Sequence, residues 1–138
     1  MQYIQDDALY LSKISDKQFD FGISVGCLHM FIKQEDRNML LQQIKRVLKD
    51  DGFIFLLNLG DGNNEMFSSP DQFLKIEKRR VAGDEDIYIE LPTLPCWQKT
   101  WTQHLKELEE NQFTVINKFE STNFEYGKCM SVILRKNI

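Results

Sequence analysis

Residues 19–31, FDFGISVGCLHMF, contain the residue types that a ligand site at the end of a strand would use. The apolar run stops at Ser24, and Gly26 then allows the backbone to approach a ligand closely. Gly26 could also simply turn a strand into a helix. His29 follows the turn and has two possible roles, as a base or orienting group that faces a substrate or as a histidine packed in the core.

A strand, a helix and a second strand are predicted around this turn. Residues 19–25 are apolar almost throughout, which is typical of a strand covered on both faces. The next segment, residues 34–52, is predicted to be a helix that ends at Gly52 in the left-handed conformation. Its apolar stripe consists of Leu40, Leu41, Ile44, Val47 and Leu48. Residues 53–59 form the second strand, and the short connections predict a right-handed, parallel βαβ unit.

The segments before and after this unit give weaker signals. Residues 2–5 are predicted to be a short strand, and the loop GDGNNE is interpreted as a turn rather than a dinucleotide-binding loop. A helix is predicted over residues 69–80, with Ser69 as its cap and Pro70 in its first turn. Residues 86–91 alternate in polarity, as does a strand exposed on one face.

The C-terminal segments complete the prediction of fold class. Residues 100–111 are predicted to be a helix in which Thr100 and Gln103 form a capping box. Residues 113–120 and 128–136 are predicted strands, and the link between them is too short for a parallel crossover, so they should be antiparallel. The predicted class is α/β, with a mostly parallel sheet and one reversed strand near its C-terminal edge. The 138 residues fit one domain.

Composition excludes several classes of function. The net charge of -4 gives no basic surface for nucleic acid. Since no apolar stretch approaches the ~20 residues that span a bilayer, no membrane segment is predicted. The three cysteines, Cys27, Cys96 and Cys129, lack the spacing of metal ligands, so no metal site is predicted. Free thiols and the absence of a signal peptide favour a reducing cytoplasm.

The order of these features resembles the second half of class I S-adenosylmethionine-dependent methyltransferases. The resemblance is carried by a strand that begins Phe-Asp, a Leu-His turn, the helix ending IKRVLKDDG and the strand FIFLLNLG. The closing helix, NQF and an antiparallel pair that ends MSVILRK continue it over nearly all of the chain. It implies a Rossmann-like fold, S-adenosylmethionine as cofactor and methyl transfer to a small-molecule acceptor.

The resemblance also implies a set of site residues. The carboxylate of Asp7 would accept a hydrogen bond from the adenine amine, and the backbone N–H of Ala8 would meet a ring nitrogen. Ser24, Val25 and Gly26 would border the methionine part, and Leu28 the adenine or methyl region. His29 is the catalytic candidate. Three aromatic residues could line an acceptor pocket or pack in the core: Tyr88, Trp97 and Trp101.

Two features of the family are expected to lie before residue 1, namely its Gly-rich turn and the acid that holds the ribose. Residues 1–138 are therefore predicted to be one partial domain that binds the cofactor weakly alone. The strand at residues 19–25 would then have an unpaired apolar edge, which predicts a homodimer. The alternative function is a non-catalytic, truncated methyltransferase-like module for binding or scaffolding.

Overall fold

The computed structural model describes residues 1–81, 84–123 and 127–138. Its helices and strands, in chain order, are β1 (Phe19–Val25), α1 (Gln34–Val47), β2 (Leu48–Leu59), β3 (Met66–Phe67), β4 (Ile76–Val81), β5 (Asp84–Pro92), β6 (Trp97–Gln98), α2 (Trp101–Glu110), β7 (Phe113–Asn123) and β8 (Gly127–Lys136). Two short 3-10 helices, Leu28–Met30 and Pro70–Gln72, complete the set.

The central sheet has the strand order β1-β2-β8-β7. Strands β1 and β2 are parallel and α1 connects them, so the predicted βαβ unit is confirmed. Strand β8 runs antiparallel to both β2 and β7, which confirms the reversed strand and the antiparallel closing pair. Of the three strand pairs in this sheet, one is parallel and two are antiparallel, so the sheet is mixed. The mostly parallel sheet expected from the sequence is not confirmed.

The hydrophobic core lies between this sheet and its two helices. Helix α1 buries Leu40, Leu41, Ile44 and Val47 of the predicted stripe, and α2 contributes Leu108, which is fully buried. The capping box of Thr100 and Gln103 is confirmed, because the Thr100 side chain accepts from the Gln103 N–H. Among the described residues, no helix is long and apolar enough to span a membrane.

The end of α1 differs from the prediction. The helix ends at Val47, Leu48 is already extended, and Gly52 lies inside β2 without a positive φ. A Cβ at Gly52 would lie 3.1 Å from the carbonyl oxygen of Asp20 and 3.2 Å from that of Phe19. Glycine is therefore favoured at this position because the backbone of β1 and the Lys49 carbonyl oxygen, 3.0 Å from that Cβ, approach closely, not because a helix stops there.

The predicted helix over residues 69–80 is wrong. Ser69 and Gln72 form a capping box, but it starts only the 3-10 turn, after which Phe73 is extended and Leu74 has a φ of 63°. Residues 76–81 then form β4, which pairs antiparallel with β5. The predicted strand at residues 86–91 is confirmed within β5, and its need for a hydrogen-bonded neighbour decides the conformation of the preceding segment.

Two further short segments can be compared with the sequence predictions. Residues 2–5 are exposed coil, so the strand predicted there is wrong: they pair with none of the described strands, although the outer edge of β1 is open. The loop GDGNNE is a turn, as predicted. The Asp61 carboxylate accepts hydrogen bonds from the Asn64 side chain and from the backbone N–H groups of Asn64 and Asn63, and these bonds lower the pKa of Asp61 to about 2.

Candidate functional site

The turn at residues 26–30 lies where the two parallel strands end. The Gly26 N–H donates to the Leu57 carbonyl at 2.9 Å, and Gly26 has a φ of +68°, which favours glycine. The 3-10 helix Leu28–Met30 follows directly. Because ligands of α/β sheets bind at the carboxyl ends of parallel strands, this turn is the centre of the candidate site.

His29 is held inside the turn by two neighbours on β2. Its Nδ1 accepts a hydrogen bond from the Leu59 N–H at 3.4 Å, and its imidazole is also hydrogen-bonded to the Asn58 side chain. Burial lowers the pKa of His29, the bond to Asn58 opposes that shift, and the charge of Arg37 adds to it. The imidazole is therefore neutral near pH 7, and these contacts favour an orienting role.

Beneath the turn, Arg37 connects four parts of the chain. Its Nη1 donates to the carbonyl oxygens of Leu28 at 2.9 Å, Phe31 at 3.2 Å and Trp97 at 3.3 Å. Its Nε and Nη2 donate to the Glu107 carboxylate on α2 at 2.6 and 2.8 Å. Such a bidentate pair fixes geometry as well as charge. The position of the turn therefore depends on α1, α2 and the segment before α2.

Two more basic side chains surround Glu107. Lys99 Nζ lies 2.9 Å from Oε1, and His104 Nδ1 lies 3.5 Å from Oε2. Burial alone would raise the pKa of Glu107, but hydrogen bonds from Arg37, His104 and Lys99, together with the charge of Arg37, hold it well below its usual range. The Trp97 ring packs beside the cations, with its centroid 4.2 Å from Lys99 Nζ. We call Arg37, Lys99, His104 and Glu107 the charge cluster.

The charge cluster was not predicted from the sequence. Arg37 and Glu107 lie 70 positions apart, and no local pattern indicates that two exposed-looking charges on separate amphipathic helices will meet. The one local signal was that Glu107 and His104 are three positions apart on α2, on the same face as Leu108.

Some predicted cofactor residues border a groove along β1. Ala8 and Ser24 line it, together with Cys27 and the apolar side chains of β1 and α1, and its volume is about 360 Å³. We call it the β1 groove. Val25 is 58% exposed at the end of the strand, next to Gly26.

Two other predicted cofactor residues lie differently. The Asp7 carboxylate already accepts a hydrogen bond from the Leu9 N–H at 2.8 Å, so it stabilises its own turn. The Leu28 side chain is 1% exposed and belongs to the hydrophobic core, which leaves its backbone as the part within reach of a ligand. The structure thus brings Ala8 and Ser24 together at one groove and directs the Leu28 side chain away from it.

A second cavity lies on the other side of the turn. It also has a volume of about 360 Å³ and is lined by His29 and Met30, by the β3–β6 ribbon, by the β4–β5 hairpin and by residues 91–96. We call it the hairpin cavity. One end of the turn therefore lines the β1 groove and the other end lines the hairpin cavity.

The aromatic residues proposed from the sequence for an acceptor pocket have other contacts. Trp97 stacks edge-on against Phe67 and donates to Glu65, and Trp101 donates to Glu120. Tyr88 is 55% exposed beneath the Arg80 guanidinium. None of the three is among the described residues that line the hairpin cavity. The part of the chain that the structure describes also contains no group of three or more metal-ligating side chains.

Comparison with known protein families finds a match over the N-terminal part of the chain. Residues 1–56 match the sequence model of a family described as a methyltransferase domain. A search of curated protein sequences finds no match.

Several solved structures share the fold at low sequence identity. A S-adenosylmethionine-dependent methyltransferase from Methanosarcina mazei has a TM-score of 0.66 at 14% identity over 96% of this chain and 66% of its own. The 1,6-didemethyltoxoflavin-N1-methyltransferase of Burkholderia thailandensis was solved with 1,6-didemethyltoxoflavin and S-adenosylhomocysteine. It has a TM-score of 0.59 at 16% identity, over 89% of this chain and 46% of its own. The cyclase SpnF has a TM-score of 0.59 at 13% identity, over 96% of this chain and 54% of its own.

This chain therefore spans between about half and two thirds of the length of those structures. The resemblance to class I S-adenosylmethionine-dependent methyltransferases is confirmed, by sequence over residues 1–56 and by fold over most of the chain.

Proposed function

From this family resemblance, we propose that the chain takes part in S-adenosylmethionine-dependent methyl transfer to a small-molecule acceptor. The observation that carries the proposal is the turn at residues 26–30, which follows a parallel strand pair and has a hollow on each side. The β1 groove would receive part of the cofactor, and the hairpin cavity would receive the acceptor. His29, Gly26 and Met30 would then lie between the two ligands.

The residues of the β1 groove fit one part of the cofactor. Ala8, Cys27 and the neighbouring apolar side chains offer a wall for an adenine ring, and Ser24 supplies a hydroxyl. Gly26 does not itself line the groove, but a Cβ built there meets one non-neighbouring atom within 4 Å, His29 Cε1 at 3.7 Å, so the space beside its backbone is open. Among the described side chains that line the groove, however, none carries a charge for the ribose or the amino-acid end.

S-adenosylmethionine, when bound, would supply an electrophilic methyl group on its sulfonium. Transfer requires in-line placement of the acceptor and exclusion of water more than it requires an acid or a base. In this proposal Gly26 lets the cofactor approach the backbone, and the neutral His29 orients the acceptor from the wall of the hairpin cavity. The charge cluster holds the turn at the required position through the Leu28 carbonyl.

The first test is binding of S-adenosylhomocysteine to the 138-residue chain. We expect a dissociation constant near millimolar, because several hydrogen bonds worth about 1–3 kcal/mol each have no counterpart in the groove. Saturation-transfer NMR should detect such binding. Low-micromolar binding by calorimetry would contradict the idea of a partial cofactor site.

Gly26→Val supplies the matched second test. Gly127 also has a positive φ, of 76°, and a Cβ there meets nothing within 4 Å, so Gly127→Val introduces similar backbone strain away from the groove. We expect both variants to lose stability, by about 1–2 kcal/mol or somewhat more for a branched side chain. The ligand signal should be lost only in Gly26→Val, and an equal signal in both variants would remove Gly26 from the site.

The second candidate function is a non-catalytic, methyltransferase-like binding or scaffolding module, and the exposed edge of β1 supports it. Phe21, Ile23 and Val25 are 54%, 67% and 58% exposed. Among the described strands, β1 pairs only with β2, so its outer edge is open to another strand. A homodimer through this edge is part of the proposal, as is a cytoplasmic location. Self-association without detectable S-adenosylhomocysteine binding would favour the scaffolding function.

A further inference from the structure

Strand β5 of the β4–β5 hairpin carries a row of apolar side chains that reaches the hairpin cavity at Leu91. Along β5, Ile87, Ile89 and Leu91 share one face because side chains alternate, and Leu91 lines the cavity. These three side chains are 49%, 44% and 42% exposed. A two-stranded ribbon is marginally stable alone in water, so an apolar ligand that covers this face would stabilise it.

The opposite wall of the cavity is also apolar. Met66 and Phe67 of the β3–β6 ribbon are 46% and 47% exposed, and Met30 comes from the turn. Thioether and aromatic groups make favourable contacts with rings, and methionine adapts to irregular shapes. The cavity is within the size range of pockets that hold metabolite-sized molecules. These walls therefore favour a ligand with an apolar, ring-containing body.

Among the polar residues that line the cavity, Thr93 is distinguished by a buried hydroxyl. Thr93 is 4% exposed, and its Oγ1 has no hydrogen-bond partner within the described part of the chain. Its backbone is satisfied, since the Thr93 N–H donates to the Lys75 carbonyl and its carbonyl accepts from the Leu74 N–H, both at 2.8 Å. A buried hydroxyl without a partner is costly, and a polar group on a ligand would remove that cost.

The charges around the cavity compensate each other. Glu77 and Arg79 line it and form an ion pair, with Arg79 Nη2 3.6 Å from Glu77 Oε2. Both side chains are about half exposed, so the pair lies at the mouth rather than in the interior. A ligand with a net charge would have no dedicated counter-charge among the described lining residues.

We propose that the hairpin cavity binds an uncharged, ring-containing apolar molecule whose hydroxyl or carbonyl group hydrogen-bonds to Thr93. The identification of this molecule as the methyl acceptor rests on the proposed function, whereas its binding does not. Thr93 is then a specificity-determining residue, and the hairpin is a wall of the acceptor site.

Three related probes test the proposal on the full chain without S-adenosylmethionine. 2-Naphthol has a ring body and a hydroxyl, naphthalene lacks the hydroxyl, and 2-naphthoate carries a negative charge. We expect 2-naphthol to bind about two- to tenfold more tightly than naphthalene, as one hydrogen bond allows, and more tightly than 2-naphthoate. Equal affinity for 2-naphthol and naphthalene, or tighter binding of 2-naphthoate, would overturn the proposal.

Variants locate the binding and test the role of Thr93. Thr93→Val should abolish the preference for 2-naphthol over naphthalene, Thr93→Ser should restore it, and Thr102→Val, on the exposed face of α2, should leave it unchanged. Leu91→Trp should weaken both neutral probes by filling the cavity. A merely structural role of Thr93 would change the two affinities together. A preference that persists in Thr93→Val, or neutral-probe binding that Leu91→Trp leaves unchanged, would overturn the proposal.

These outcomes are separate from those of the cofactor test. Binding of 2-naphthol in the cavity without binding of S-adenosylhomocysteine would retain this inference and reject the proposed function. The reverse result would retain methyl transfer and reject the acceptor class.

Discussion

Beneath the turn at residues 26–30, each guanidinium nitrogen of Arg37 has a protein partner, whereas along β1 four apolar side chains are exposed to solvent. Arg37 and Glu107 are each 2% exposed, and Ile23, on the other side of the turn, is 67% exposed. A charged group tolerates burial only when it is paired and hydrogen-bonded, and an apolar group favours burial without needing a specific partner. In this molecule the buried Arg37–Glu107 pair is hydrogen-bonded within the chain, and the apolar surface of β1 is open.

The difference separates what holds the site from what would occupy it. The charge cluster fixes the turn by directional bonds that the chain supplies itself. The β1 groove and the hairpin cavity offer apolar walls, which gain free energy when any matching surface covers them. We therefore expect substitutions in the charge cluster to act on folding, and substitutions along the open surfaces to act on binding or association.

The largest effect is expected for Glu107→Gln. It leaves the charges of Arg37 and Lys99 buried without a carboxylate, and breaking a buried pair on one side costs about 3–5 kcal/mol. Urea unfolding of the variant and the parent measures this loss. Glu110→Gln, three positions along α2, is the matched control: Glu110 pairs with Lys106 at 3.7 Å in an exposed position and should change stability by at most about 0.5 kcal/mol. Equal losses would show that the charge cluster carries no special share of the stability.

The same carboxylate predicts a dependence of stability on pH. The pKa of Glu107 is depressed in the folded state despite burial, so its contribution is present above the unfolded value of about 4.3 and is lost as pH falls below it. The free energy of unfolding of the parent should therefore decrease more steeply below about pH 4 than that of Glu107→Gln. Parallel curves for the two proteins would contradict the assignment.

Self-association should respond to the open side of the molecule. Ile23→Lys places a charge on the exposed β1 surface and should weaken a dimer formed through that edge, as lysines do on natural edge strands. Ile116→Lys is the matched control, because Ile116 is 52% exposed on β7, the other edge of the sheet. Light scattering on the peak that elutes from a size-exclusion column measures the molar mass of the parent and of both variants. A parent that remains monomeric at high micromolar concentration would show that the β1 edge does not associate.

The parts that the sequence predicted correctly are those decided by nearby residues. The βαβ unit, the capping box at Thr100 and the antiparallel closing pair all depend on spacing within one or two elements. The segment at residues 69–81 shows the limit, because Ser69 and Pro70 indicate a helix start while Ile76 and Val81 suit a strand. Pairing with β5 decided between them, and a pairing partner cannot be read from local propensity.

The candidate site follows the same rule. The turn with Gly26 and His29 was predicted from a strand end, but the support that Arg37 and Glu107 give it required two helices to pack together. The hairpin cavity was missed because its walls belong to four separate segments of the chain. Tyr88, Trp97 and Trp101 were considered for an acceptor pocket because aromatic residues often line such sites. Here Trp97 packs against Phe67, Trp101 packs against the hydrophobic core, and Tyr88 lies beneath the Arg80 guanidinium.

The smallest effect is expected at His29, which lies in the turn between the charge cluster and the open apolar surfaces. Burial lowers its pKa, so the folded state resists protonation while the unfolded chain gains a proton below about pH 6.5. Stability should therefore decrease slightly as pH falls through that range, and His29→Ala should remove this slope. Because His29 contacts Leu59 and Asn58 rather than the β1 groove, the variant should change S-adenosylhomocysteine affinity less than about twofold while lowering turnover modestly in any active preparation. NMR titration of the imidazole provides the direct measurement, and a His29 pKa at or above its ordinary value would contradict both the effect of burial and the expected slope of stability.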